Sequence, residues 1–174
     1  FPVHSIRYCL ETAGIRIEDL DHVGISRDPS AHLHKKILFA AMRVASHARQ
    51  IKDRLGNAAK VRDLKDELAR VFSVSKKQLR ARFHNIEHHR AHLASCFFVS
   101  PFERAALLSI DGFGDFISTM WALGEGNSID VLGQVEYPHS TGIVYTATTQ
   151  FLGFPHYGDE GKVMGLAPYG RPKF

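Results

Sequence analysis

Cysteine is scarce in this chain. There are two in 174 residues, Cys9 and Cys96, far apart and outside any C-x-x-C pair, so the sequence holds neither a disulfide framework nor a thiolate zinc site. A reducing, cytoplasmic setting is the expectation. No apolar run approaches the roughly 20 residues that cross a bilayer, and the opening FPVHSIRYCLETAG lacks a charged-then-apolar signal pattern. No membrane partner is therefore expected. Internal repeats and low-complexity linkers are absent as well. The chain has no initiator Met, opens within a helical pattern and stops at YGRPKF without a closing element, which is the pattern expected of a piece of a longer protein. Neither sign of charge dominates: 22 Lys and Arg against 18 Asp and Glu leave +4 and a pI near 9.2, compatible with an anionic ligand such as a nucleotide. Much of the basic excess lies between Lys35 and Arg82 at helical spacing without interleaved aromatics, the pattern of a solvated face, so nucleic acid is not the expected partner.

The 44% apolar and 10% aromatic content suffices for one sizeable core, and one globular unit is expected. HSIRYCLETAG places Ile6, Leu10 and Ala13 on one helical face and closes at Gly14. DHVGIS reads as a short buried strand. From Ser30 to Leu55 the apolar positions keep the 3.6-residue period, predicting one long amphipathic helix, and a second follows over Arg62 to Phe72. ARFHNIEH alternates as a strand does, and HRAHLASCFF returns to helix. RAALLSID, ISTMWALGEG and IDVLGQVEY are three strand candidates with glycine-bearing turns. STGIVYTATTQFLG and GDEGKVMGLAPYG close the chain as helices. Strands mixed with helices predict an α/β or α+β domain.

The chemistry-bearing stretch is IEHHRAHLASCFF. His88 and His92 stand four apart, so on a helix their imidazoles lie one turn above each other and can face one cation, while His89 is rotated by about 100° and cannot join them. The other reading is a surface helix rich in histidine, because chance pairs at such spacing are common among 11 histidines. Next comes ALLSIDGFGDF, an apolar strand leading to Asp111, Gly112, Phe113 and Gly114. Two readings stand there: a turn whose glycines let backbone N–H groups approach phosphate, and a plain hairpin turn. A carboxylate added to two imidazoles is the three-ligand facial set that suits iron(II) and similar ions. Lys162 holds a phosphate in one reading and caps an exposed helix turn in the other. His84, His139 and His156 carry no comparable pattern and read as surface histidines.

Three stretches, EHHRAHLASCFFVSPFERAALLSIDGFGD, YPHSTGIVYTATTQFLGF and GDEGKVMGLAPYG, resemble in this order the O-carbamoyltransferase family of nodulation protein U, which includes antibiotic-tailoring carbamoyltransferases. The resemblance implies an α/β fold of the actin, sugar-kinase and heat-shock ATPase (ribonuclease H-like) type, partial here, with a long helical insertion. Residues 1–174 would form one partial N-terminal domain, with a helical region over about 30–80 and a metal- and nucleotide-binding core over about 81–174. It implies an enzyme whose C-terminal domain, outside this chain, makes carbamoyl adenylate from carbamoyl phosphate and ATP. The present domain would pass the carbamoyl group to a hydroxyl of a small-molecule acceptor and would be inactive alone. FPHYGDE is closer to the nodulation branch, whose acceptors are lipo-chitooligosaccharides. By the same resemblance His88 and His92 match paired metal histidines and Asp111 a metal-binding aspartate, with iron(II) the expected metal and a further acidic ligand beyond Phe174. Gly112 and Gly114 match the phosphate turn. Gly158, Glu160 and Lys162 fall in a segment that lines the nucleotide, Glu160 and Lys162 as catalytic residues. The alternatives are a tRNA threonylcarbamoyltransferase-like enzyme and a non-catalytic nucleotide sensor on the same fold. A sensor has no need of two helical imidazoles, and HSTGIVY with EGKVMGLAPYG follows the small-molecule family.

Overall fold

A computed structural model describes residues 1–42 and 64–173. They divide into two compact units, Phe1–Ile86 and Glu87–Phe174, where composition led us to expect one. Cys9 and Cys96 are both free thiols, and no helix of the described residues is long and apolar enough to cross a membrane.

In the first unit, helix α1 (Val3–Ala13) ends as its sequence predicts. Gly14 takes the left-handed conformation, φ 66°, and its N–H returns to the Glu11 carbonyl, a conformation glycine adopts at little steric cost. Strands β1 (His22–Ile25) and β2 (Arg82–Asn85) pair in parallel. A parallel pair needs a long crossover between its strands, and the described helices of that crossover are α2 (Leu33–Met42) and α3 (Leu64–Val71). The later turns of the long helix expected to Leu55, and the start of the one expected from Arg62, lie outside the described residues. Contrary to expectation β1 is not buried: it alternates between exposed and half-buried positions, because apolar residues pack on only one of its faces. Leu10, Ile17, Leu68, Ala69 and Leu79 form the core, with Phe83 of β2 packed against it.

The second unit is a three-stranded antiparallel sheet in the order β3 (Arg104–Gly114), β4 (Ile117–Glu125), β5 (Ser128–Glu136). Helix α4 (His88–Phe97) lies against it. Leu93 and Phe97 of α4 join Leu107, Ile117, Met120 and Ala122 of the sheet in one core. Gly124 makes room for the Phe97 ring, which a Cβ at that position would meet at 2.8 Å. Helix α5 (Thr141–Phe151) packs on β3, and α6 (Glu160–Leu166) runs into a 3₁₀ turn at Ala167–Tyr169.

The β3–β4 connection differs from its sequence reading. Asp111 to Gly114 is not the turn but the irregular end of β3: pairing with β4 is regular as far as Ile110 and resumes only at Gly114 opposite Ile117. The turn is Asp115-Phe116, both at positive φ (50° and 84°), the backbone that a two-residue hairpin of strand-matched twist requires. The Asp-Gly signal marked the neighbourhood of the turn and misplaced it by a few residues.

His89 anchors α4. It is fully buried, its Nδ1 lies 2.8 Å from the Ser109 hydroxyl of β3 and its Nε2 3.0 Å from the Ile117 carbonyl of β4. A neutral ring donating from Nε2 and accepting at Nδ1 satisfies both. Burial holds its pKa below the usual histidine value, outweighing the Ile117 carbonyl and nearby carboxylates that favour the charged form. His89→Ala leaves two buried polar groups without their partner and opens a void, so it should cost on the order of 3 kcal/mol in urea unfolding at neutral pH. An unfolded imidazole takes a proton near pH 6.5 and the folded one resists until lower pH. The contribution of His89 is therefore whole above about pH 6.5 and is lost as the solution is acidified. The parent should lose more stability than His89→Ala between pH 7.5 and 5.5; parallel losses in the two proteins would show that His89 is not the responsible group.

Candidate metal centre

Two carboxylates fix where α4 begins. Glu87 is its N-cap, accepting the His89 and Arg90 N–H groups at 3.1 and 2.8 Å, and Asp115 of the hairpin turn accepts the His88 N–H at 3.1 Å. Negative groups at a helix start satisfy its unpaired donors and suit its dipole. With the start fixed, His88 and His92 face the end of β3, as the four-residue spacing predicts, and His89 turns into the core.

The side chains of His88, His92 and Asp111 converge. Their ligand atoms lie within 4.8 Å of one another: His88 Nε2 is 2.9 Å from Asp111 Oδ2, His92 Nε2 is 3.0 Å from His88 Nε2, and His92 Nε2 is 3.5 Å from Asp111 Oδ2. Ligands bound about 2.1 Å from one ion are about 3.0 Å apart when at right angles and about 3.4 Å apart when tetrahedral. The three separations, 2.9, 3.0 and 3.5 Å, match that span to within about 0.1 Å, so the donor set fits a divalent transition ion as one face of its coordination shell. The site is open on one side: His88, His92 and Asp111 side chains are 27%, 50% and 43% exposed, which leaves room for further ligands. Partial burial acts to raise the Asp111 carboxyl pKa, but the His88 hydrogen bond, the Gly112 N–H and the two imidazoles together outweigh it and hold the group below the usual carboxylate range. Asp111 is thus kept as the anion a metal requires.

Gly114 has a steric reason within this centre. A Cβ there would fall 1.9 Å from Cδ2 of His88, inside the ring's own volume. Gly112 is different, because its Cβ would meet only Ile143 Cδ1 at an ordinary 3.9 Å. The remaining residues implied by the sequence form a second cluster on the approach to α6. Gly158 sits at φ 89°, Glu160 accepts the Thr146 hydroxyl of α5 at 2.7 Å, and the Lys162 ammonium lies 2.6 Å from Asp159. The Thr146 hydrogen bond lowers the Glu160 pKa, and the Lys162 contact lowers that of Asp159. Of the other histidines, His84 lies 2.8 Å from His22 across β1 and β2, and the His139 carbonyl accepts the Ser118 hydroxyl at 2.6 Å.

Sequence reasoning missed Asp115, Ser140 and Gly142. Asp115 was legible only as a turn residue. Ser140 carries an N-cap signal, a Ser just before an apolar helical run, and it does cap α5 by accepting the Ile143 N–H at 3.1 Å. Nothing in its neighbourhood shows that it also touches β3.

Paired histidines on a helix, set against an aspartate at a strand end, are a donor set that could hold a metal ion. The chain matches the carbamoyltransferase N-terminus model over residues 1–174 and belongs to that family. It is 36% identical over 179 aligned residues to an uncharacterized protein of Synechocystis sp., sll1178, covering all of this chain and 29% of that protein. It is 36% identical over 171 residues to nodulation protein NolNO of Sinorhizobium fredii, covering 98% of this chain and 24% of that one. To nodulation protein NolO of Bradyrhizobium diazoefficiens it is 44% identical over 87 residues, half of this chain. The chain thus spans less than a third of the length of the first two relatives.

The two glycines give contrasting expectations. Gly114→Ala should displace His88, lowering Co²⁺ affinity and costing about 1–3 kcal/mol of stability through overpacking. Gly112→Ala should stay within about 0.5 kcal/mol of the parent. Thermal unfolding and calorimetric Co²⁺ titration check both, and equal behaviour of the two variants would refute the steric assignment.

Proposed function

We propose that this chain is the carbamoyl-transferring, metal-bearing part of an O-carbamoyltransferase, with a fold of the actin and sugar-kinase type. The observation that carries the reading is the convergence of His88, His92 and Asp111 in a chain of the carbamoyltransferase N-terminus family. The reaction is attack by an acceptor hydroxyl on the carbonyl carbon of carbamoyl adenylate: a carbon–oxygen bond forms to the acceptor, the bond to phosphate breaks, AMP leaves, and the hydroxyl proton passes to solvent or a base. The adenylate is made from carbamoyl phosphate and ATP by a further domain of the full-length protein. That the relatives include proteins named for nodulation supports a lipo-chitooligosaccharide as the acceptor.

Within this reading the chain's own groups have separate tasks. His88, His92 and Asp111 would hold iron(II) or a similar ion, and such an ion supplies Lewis-acid stabilisation of the negative charge that grows on the carbonyl oxygen. Asp111, kept ionised, supplies the one negative charge among the three ligands. Gly112, at the unladdered end of β3, gives its N–H to the Asp111 carboxylate and its carbonyl to Ser140, so it would serve the reaction through the placing of Asp111. Glu160 and Lys162 belong to the nucleotide side, where an ammonium that exchanges Asp159 for a phosphate needs no change of charge.

The division of labour predicts a split phenotype. A full-length protein with His92→Ala should still release pyrophosphate when given carbamoyl phosphate and ATP, while carbamoylated acceptor falls by roughly a hundredfold or more, as expected when several kcal/mol of transition-state stabilisation is lost. Loss of both signals would move the metal to the activation step. Normal transfer would remove it from the reaction. A nucleotide sensor would bind ATP and give neither product.

A further inference from the structure

The carbonyl groups of Asp111 and Gly112 lie where β3 has left the regular β4 ladder, between the pairs Ile110↔Thr119 and Gly114↔Ile117. Backbone acceptors in such a partly buried place need another partner. Ser140 is that partner. Its Oγ lies 2.7 Å from the Gly112 carbonyl oxygen and 3.2 Å from that of Asp111, and the same oxygen accepts the Ile143 N–H at the start of α5. Gly142 lets this end of α5 come down onto the strand, because a Cβ there would fall 2.5 Å from the Asp111 carbonyl oxygen. Ser118, fully buried, donates to the His139 carbonyl at 2.6 Å and so holds the segment that delivers Ser140. From this pinned backbone the Asp111 carboxylate accepts the Gly112 N–H on Oδ1 at 2.6 Å and presents Oδ2 to His88 at 2.9 Å.

We propose that Ser140, brought into place by the missing side chain of Gly142, is a positioning residue that fixes Asp111 as the third ligand beside His88 and His92. The role rests on the metal reading above. Helix capping alone does not account for it: a cap needs only an acceptor for the Ile143 N–H, whereas the contact with the Gly112 and Asp111 carbonyls needs a donor, and a hydroxyl is both.

That double requirement supplies the test. Co²⁺ alone is titrated into the purified protein and its variants, read by calorimetry and by the visible absorption of the bound ion, and the thermal midpoint of each metal-free protein is recorded. Ser140→Thr keeps donor and acceptor and should bind Co²⁺ within about threefold of the parent. Ser140→Asp keeps a capping acceptor but cannot donate when ionised. It should weaken Co²⁺ about ten- to a hundredfold, as loss of a group that orients a ligand does, and lower the metal-free midpoint, because two part-buried carbonyls lose their donor, while the protein stays folded at the titration temperature. Gly142→Ala should weaken binding similarly by pushing the Asp111 backbone away. Parent-like Co²⁺ affinity and absorption in Ser140→Asp overturn the role of Ser140. His92→Ala is the control: if it binds Co²⁺ as the parent does, or if the parent does not bind, the metal reading fails and the positioning role fails with it.

Discussion

The centre depends on a break in the β3–β4 ladder. A strand pairing regularly to its end would direct Asp111 by strict alternation and turn the adjacent Asp111 and Gly112 carbonyls to opposite sides, so that one hydroxyl could not meet both. The register instead lapses after Ile110 and resumes at Gly114. Over those residues the strand is free to swing its carboxylate toward α4 and its carbonyls toward α5, the re-aiming of a side chain for which irregular strand ends beside functional sites are known. Phe116 at positive φ belongs to the same device, since Asp115 and Phe116 together make the tight turn that restores pairing.

Helix α4 shows how one histidine-rich segment serves two purposes. His89, Leu93 and Phe97 follow at four-residue spacing and are all buried, so the stripe that holds the helix to the sheet begins with a histidine where an apolar residue would be usual. His88 and His92 follow at the same spacing one residue earlier, on the face toward Asp111. The buried imidazole answers a need that a leucine would not: Ser109 and the Ile117 carbonyl require partners in the interior, and a leucine would leave both unmet. Anchor and ligands are thus interleaved, and the ligand face has little freedom to rotate while His89 stays bonded at both nitrogens.

Much of this was legible from local pattern. The four-residue spacing gave the facing pair, the glycine after α1 gave its end, and the glycine-bearing turns marked off the three strands of the second unit. What escaped depended on contacts between distant residues. Asp-Gly is a strong turn signal, yet the turn formed at Asp115-Phe116 and Gly114 lies beneath the His88 ring, a contact between distant residues that no local rule carries. The buried reading of β1 took an apolar run for two covered faces, when only the side bearing Val23 and Ile25 is even half-buried. One expected core became two units, a partition set by which long-range pairings form. Ser140 was legible as a cap and not as a clamp for the same reason.

The acidic groups beside α4 are sorted by what reaches them. Glu87 accepts two N–H groups of the helix's first turn and Asp115 that of His88, while Asp111 turns an oxygen to the imidazoles. Its place is transmitted along α5, whose Ser140 end grips the Asp111 and Gly112 carbonyls and whose Thr146, about a turn and a half further on, bonds Glu160. One short helix therefore links the backbone of the strand end that bears Asp111 to the segment bearing Gly158, Glu160 and Lys162. Most of α5 is exposed, so these polar contacts, with the seat at Gly142, are what fasten it to the strand end on one side and to Glu160 on the other.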